Sequence, residues 1–424
     1  MRRSVLASIW AVLLLIASGG PARAGSADWT HLGSDGGRSH VNRLEQRLGR
    51  STVAGLRLDW RRSIRPDRTF FWESEISPKL VSDSRVFATW SAGESRDDLV
   101  ALDEATGDRL WVRRFDGYPE PIAAHGGAVF VALRDKVDKG LALSAEDGTK
   151  LWSRRRTLPF AADPMVTRLF AVRGSDQDRR IVAIDAATGS TVWTSDLDPR
   201  NDGSDLLVSQ GLVIAPGRTT PRSIVALRAD DGTQAWSATT RGWLSVAAAG
   251  RVYAIRWLDV PPVGGALVEA FSLQDGSRLW SHRLPTQAWI RAATARTVFV
   301  DRAVCARGCE GDAFGRHRGG IVALDARTGS RRWNVLGNGW GGDPLWQTGA
   351  VANGLVFVYR FELGNAAFGA LEAATGRLRW SRSIGGPGVF ASLDVVANGA
   401  VLGGTYWNGK ISGMIVRYAL PAAA

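Results

Sequence analysis

The stretch Ile181–Trp193 reads IVAIDAATGSTVW: an apolar run suited to a buried strand, a tight turn at Thr188 and Gly189, and a tryptophan four residues beyond the glycine. Nearly the same phrase returns as VALDEATGDRLW ending at Trp111, LALSAEDGTKLW at Trp152, VALRADDGTQAW at Trp236, EAFSLQDGSRLW at Trp280, VALDARTGSRRW at Trp333 and GALEAATGRLRW at Trp380. The turn needs glycine because a tight hairpin demands positive φ at little steric cost. Tryptophan at a fixed offset supplies a flat surface that packs between neighbouring sheets, with an indole N–H free to reach a backbone acceptor.

Successive motif tryptophans stand roughly 41 to 53 residues apart, a period that points to propeller blades rather than to separate domains. Each copy follows a second hairpin-like phrase, such as SDSRVFATW, HGGAVFVAL or ANGLVFVYR, so every period holds about four short strands and no convincing helix. The ends complete the count. MIVRYAL, from Met414 to Leu420, matches the IVAIDA strand but stops before any turn and tryptophan, while GLRLDWRRSI carries Trp60 without a partner strand. Joining the two predicts an all-β, eight-bladed propeller of four-stranded antiparallel blades, closed by pairing of its N- and C-terminal segments and forming one domain over 25–424. In this reading Trp60, Trp111, Trp152, Trp193, Trp236, Trp280, Trp333 and Trp380 are structural docking residues.

Composition sets the class. The chain has 424 residues, 45% of them hydrophobic, enough to bury a large core. Arg2 and Arg3, the apolar stretch from Val5 to Ala17 and Ala22-Arg23-Ala24 read as a signal peptide over 1–24, with an uncleaved anchor as the alternative. No cysteine stands near the cleavage point, which argues against a lipid anchor. The formal charge is +12, with only five lysines, and the arginines are scattered rather than grouped as a nucleic-acid footprint would be.

The pattern A-x-D-x-x-T-G-x-x-x-W resembles the tryptophan-docking repeat of the pyrroloquinoline quinone (PQQ) dehydrogenases. It is also similar to that of their non-catalytic relatives, the propeller lipoproteins of outer-membrane barrel assembly. The likeness runs from WTHLGSDGGRS (Trp29 to Ser39) to Leu420. For the quinone enzymes it implies a glutamate just before the first blade's inner strand, and Glu75 in ESEISPKLV matches that position. Adjacent cysteines over the quinone, a recognisable calcium-binding set and a C-x-x-C-H haem site have no counterpart. The lipid-anchor cysteine of the assembly proteins is missing too.

Residues just before each inner strand should surround one mouth of the central channel. Those positions give Trp72, Glu73 and Glu75, then Tyr118 and Glu120, Asp163, Asp205, Trp243, Trp289 and Arg291, and finally Trp340, Asp343 and Trp346. Of these, Trp72, Glu73, Glu75, Trp243, Trp289, Arg291, Trp340 and Asp343 are the candidate ligand-binding set. Flat apolar walls with a few charges suit a ring-shaped ligand, a sugar or a peptide side chain. The competing reading is that they merely fill the mouth.

Cys305 and Cys309, in an inserted loop, read as a local disulfide in an exported protein. A metal site with Asp312 and His317 is the weaker alternative, its spacing matching no strong zinc pattern. No catalytic motif is present. The expectation is an exported, non-catalytic propeller of the cell envelope or extracellular space, a monomer binding a protein or wall polymer, with no cofactor, metal or nucleic acid. The alternatives are a PQQ- and calcium-dependent oxidoreductase of alcohols or sugars, and a carbohydrate-binding propeller.

Overall fold

A computed structural model describes residues 27–63, 76–90, 97–175, 178–199, 206–217, 222–258, 265–305, 317–337, 346–360, 366–384, 389–407 and 413–421. The described strands assemble into eight sheets, each built on an antiparallel four-stranded blade; Val41–Asn42 adds a short fifth strand, parallel to Trp346–Ala352, to one of them, and helix among the described residues is limited to one 3-10 turn at Val53–Gly55. Blade 1 runs outward from the channel as the strands Ile76–Ser82, Arg85–Trp90, Asp97–Asp103 and Arg109–Phe115. Blades 2 to 7 repeat this order, with innermost strands Tyr118–His125, Thr157–Ala162, Leu207–Ser209, Trp243–Ala248, Gln287–Ala293 and Trp346–Ala352.

Blade 8 is composite. Its three inner strands are Val389–Ala397, Ala400–Trp407 and Met414–Ala419, and its outermost strand is Arg57–Ser63, from the other end of the chain. Arg57 opposes Ala419 and Ser63 opposes Met414, so the two-termini closure expected from the sequence is the one observed.

The motif explains how blades adhere. In seven joints the tryptophan of one blade donates its indole N–H, over 2.8–3.0 Å, to the carbonyl that opens the glycine turn of the next: Trp60 to Glu104, Trp111 to Ala145, Trp152 to Ala186, Trp193 to Ala229, Trp236 to Leu273, Trp280 to Ala326 and Trp333 to Ala373. In three joints an arginine two residues past the tryptophan ties down the same turn: Arg62 to Thr106 O at 2.8 Å, Arg113 to Gly148 O at 2.6 Å and Arg154 to Gly189 O at 2.7 Å. Part of the chain's arginine content is thus structural. Apolar packing follows the same geometry, as slabs between adjoining blades; Phe130 and Trp152 of blade 2, for instance, meet Leu169, Val182 and Ile184 of blade 3.

Trp380 is the exception. In blade 8 the strands Met414–Ala419 and Arg57–Ser63 come from opposite ends of the chain, with no glycine turn joining them; the Trp380 Nε1 meets no acceptor among the described residues, and its ring packs edge-on against Tyr418 at 5.7 Å. On the other side of blade 8, Asn398 ties it to blade 1 and the N-terminal segment, accepting from Ala27 N at 2.8 Å and donating to Asp28 Oδ1 at 2.9 Å and Glu104 Oε1 at 3.2 Å.

Candidate functional site

The innermost strands share one irregularity. In seven blades the pairing skips a residue, leaving Lys79, Ile122, Phe160, Ser245, Arg291, Gly349 and Asp394 outside the ladder. Such bulges re-aim side chains, and here they set one layer of varied residues around the channel.

The N-terminal segment closes the channel below this layer. Residues 27–42 travel round the ring and bond to the far end of each innermost strand in turn. Trp29 exchanges backbone bonds with Val81 in blade 1, Leu32 donates to Ile122 O in blade 2, and His31 Nε2 lies 2.9 Å from Asp163 O beyond the inner strand of blade 3. The amides of Val208, Ala247, Ala293 and Val351, in blades 4 to 7, then donate to the carbonyls of Gly36, Gly37, Ser39 and His40 at 2.7–3.1 Å. Asn42 Nδ2 completes the circuit on Val396 O of blade 8 at 2.8 Å. This belt needs Gly37, where a Cβ would stand 2.0 Å from Ala247 O.

Above the belt, charged groups converge. Asp301, in the second strand of blade 6 (Thr297–Cys305), accepts from Arg291 Nε at 3.2 Å and from the blade 7 residue Thr348 through both N, at 3.1 Å, and Oγ1, at 2.7 Å. Burial pushes the Asp301 carboxyl up to about 6, with Arg291 and Thr348 pulling the other way. Asp394 Oδ2 accepts from Ser77 Oγ at 2.5 Å. His40, ringed by protein on the channel floor, is pushed down to about 4 by burial and by the positive charges of Arg291, Arg38 and Lys79.

At the channel mouth opposite the belt, on the joint between blades 5 and 6, three indoles form a corner. Trp257, in the second strand of blade 5 (Arg251–Leu258), lies 5.0 Å from Trp243 at 47° and 5.8 Å from Trp289 at 73°. The guanidinium of Arg222 stands 4.8 Å over the Trp243 ring. The Trp257 indole N–H donates to Ala288 O at 3.0 Å, which fixes the ring across the joint.

Against that geometry, residues 46–176 and 317–403, just over half of the chain, match the family model described as outer membrane protein assembly factor BamB. The chain belongs to this BamB family. Among relatives, polyvinylalcohol dehydrogenase of Sphingopyxis sp. is 23% identical over 362 residues, covering 79% of this chain and 49% of that protein. Quinohemoprotein alcohol dehydrogenase of Comamonas testosteroni is 25% identical over 348 residues, covering 75% and 40%. BamB of Bordetella pertussis is 25% identical over 220 residues, covering 49% and 56%. This BamB-family chain therefore spans about half the length of these relatives. Solved structures agree on fold: the Comamonas testosteroni quinohemoprotein alcohol dehydrogenase has a TM-score of 0.60 at 16% identity, covering 96% of this chain and 82% of that one. BamB from Moraxella catarrhalis gives 0.52 at 15%, covering 86% and 99%.

The structure brings Trp243, Trp289 and Arg291 to the mouth and wall of the channel in this BamB-family ring. Tyr118, Glu120 and Trp346 also belong to the inner strands, whereas Asp163 does not sit at the mouth. It follows its inner strand, at the belt end, where its carboxylate caps Thr167 N at 2.7 Å. Trp72, Glu73, Glu75, Asp205, Trp340, Asp343 and Cys309 lie outside the described residues, as do the signal segment and the side chain of Cys305. Sequence reasoning missed Trp257, Asp301 and the belt. For the belt, adjacent Gly36 and Gly37 behind Trp29 were the available signal; for Trp257, its place at the mouth end of a second strand, beside the Trp243 strand, was.

Proposed function

We propose that this chain is an exported, non-catalytic binding propeller of the cell envelope, presenting the channel mouth opposite the belt to a protein or wall polymer. Residues 1–24 would direct the export and be removed from the mature chain. One observation carries the reading. Two carboxylates of the described channel wall, Asp301 and Asp394, are committed to neighbouring side chains, Asp301 to Arg291 and Thr348 and Asp394 to Ser77, which suits holding a ligand more than reacting with one. The family match to an assembly factor supports a protein partner.

The dehydrogenase relatives give the second reading its weight. A calcium-bound quinone needs a set of oxygen donors. Among the described residues no three His, Cys, Asp or Glu side chains gather in a way that could hold a metal ion, and Asp301 is already satisfied by an arginine.

Mixing the mature protein with PQQ and calcium, then following absorbance and dye-linked oxidation of alcohols and sugars, tests the choice. The expected result is neither binding nor turnover, together with recovery of a specific envelope partner by crosslinking. Saturable PQQ binding with turnover would overturn the proposal.

A further inference from the structure

We propose that Trp243, Trp257 and Trp289 form a saccharide subsite that takes a pyranose ring across the joint between blades 5 and 6; this deepens the binding reading above and rests on it. Trp257 is the one exposed tryptophan among the described residues, at 40%, and it is held in place rather than loose. Because its N–H is spent on Ala288, the ring offers its face and rim to a ligand. Trp243 and Trp289, each half-buried, wall the corner at 47° and 73°.

The corner is built not to collapse. Trp243 opens its strand directly after a tight connection in which Thr240 Oγ1 donates to buried Glu269 at 2.9 Å and accepts from Gly242 N at 2.9 Å. Gly242 runs so close to blade 5 that a Cβ there would lie 2.9 Å from Ile255 O. On the other side, Trp289 is paired in register with Asp301, the residue that anchors Arg291.

The flanking chemistry selects the occupant. Arg222 already covers Trp243, and Arg291 follows two residues after Trp289, so a lysine or quaternary ammonium would meet repulsion where an aromatic cage alone would attract it. A purely apolar side chain would leave those guanidinium donors poorly solvated. A sugar ring satisfies both sets of groups: its C–H face stacks on indole, and its hydroxyl edge offers acceptors to the arginines.

The test is calorimetric titration of the mature protein with chito-, cello- and maltohexaose and with a soluble peptidoglycan disaccharide, read together with saturation-transfer NMR. One of these should bind, with Trp257→Ala weakening it at least tenfold, Trp257→Phe retaining part of the affinity, and Leu151→Ala, on a distant blade, leaving it unchanged. Each variant is checked for an unaltered thermal transition. No binding by the wild type, or binding unaffected by Trp257→Ala, would overturn the proposal. The same samples carry the PQQ assay, so failure of the subsite alone is told apart from failure of the binding reading, which PQQ turnover would mark.

Discussion

The ring of Trp152 in blade 2 lies directly over Gly189 in blade 3. The glycine has φ +69°, and a Cβ placed there would come within 2.8 Å of the indole, whose N–H donates to Ala186 O at 2.8 Å. One residue thus fixes the turn and the other fills the space that the missing side chain leaves. Sequence spacing becomes blade-to-blade adhesion through this pair.

Breaking either half should open the joint. Trp152→Ala is expected to cost about 3–5 kcal/mol, the range for deleting a large buried aromatic. Gly189→Ala is expected to cost roughly 1–3 kcal/mol through the positive φ and the close ring. Urea unfolding of the two variants measures both; a midpoint within error of wild type for either would show that the joint does not depend on this contact.

The seam tryptophan should behave differently. Trp152→Phe deletes an N–H and strands the buried Ala186 carbonyl, a loss of about 1–3 kcal/mol. Trp380→Phe deletes an N–H that has no acceptor among the described residues, so the variant keeps the edge-on contact with Tyr418 and should lose clearly less. Equal losses would mean that indole volume, rather than the hydrogen bond, governs both sites.

These joints were legible in the sequence because one local rule repeats: a glycine turn and a tryptophan at constant offset. Blade number and closure followed from where copies were incomplete, at Trp60 and at Leu420. The site was less legible because its members do not repeat. Trp257 stands beside Trp289 only through blade docking, and Asp301 meets Thr348 across a joint, contacts without any signature along the chain. The belt binds through backbone groups, which side-chain patterns do not report. Asp163 was misplaced because the inner strand of its blade, Thr157–Ala162, ends before it rather than beginning after it.

Buried Asp301 and half-buried His40 oppose each other between pH 4 and 6.5. Asp301 is raised to about 6 in the folded chain, so the folded state binds more protons than the unfolded one over about pH 4–6, and its contribution to stability is lost as pH rises through 6. His40 is lowered to about 4, so its contribution is present above 6.5 and lost as pH falls through 4. His31 is also lowered, and Glu104 raised, each chiefly by burial. Asp301→Asn should therefore make Tm climb more steeply with pH between 4 and 6.5, and His40→Gln should tilt the profile the other way. Parallel profiles for wild type and both variants would contradict these assignments.

The belt gives the channel its floor, and Gly37 is where it has least room. Gly37→Ala places a methyl 2.0 Å from Ala247 O, with backbone on both sides, so neither strand can yield by a rotamer change. The variant should lift the belt locally while leaving the tryptophan joints formed, since Trp152 and Trp193 dock on neighbouring blades without touching it. Hydrogen exchange reads this directly: the amides of Val208, Ala247, Ala293 and Val351, which donate to belt carbonyls, should exchange at least tenfold faster, and those of the outer ladders should not. Uniform acceleration across all blades would show instead that the belt holds the ring together, and unchanged protection would show that the segment is not bound where the bonds place it.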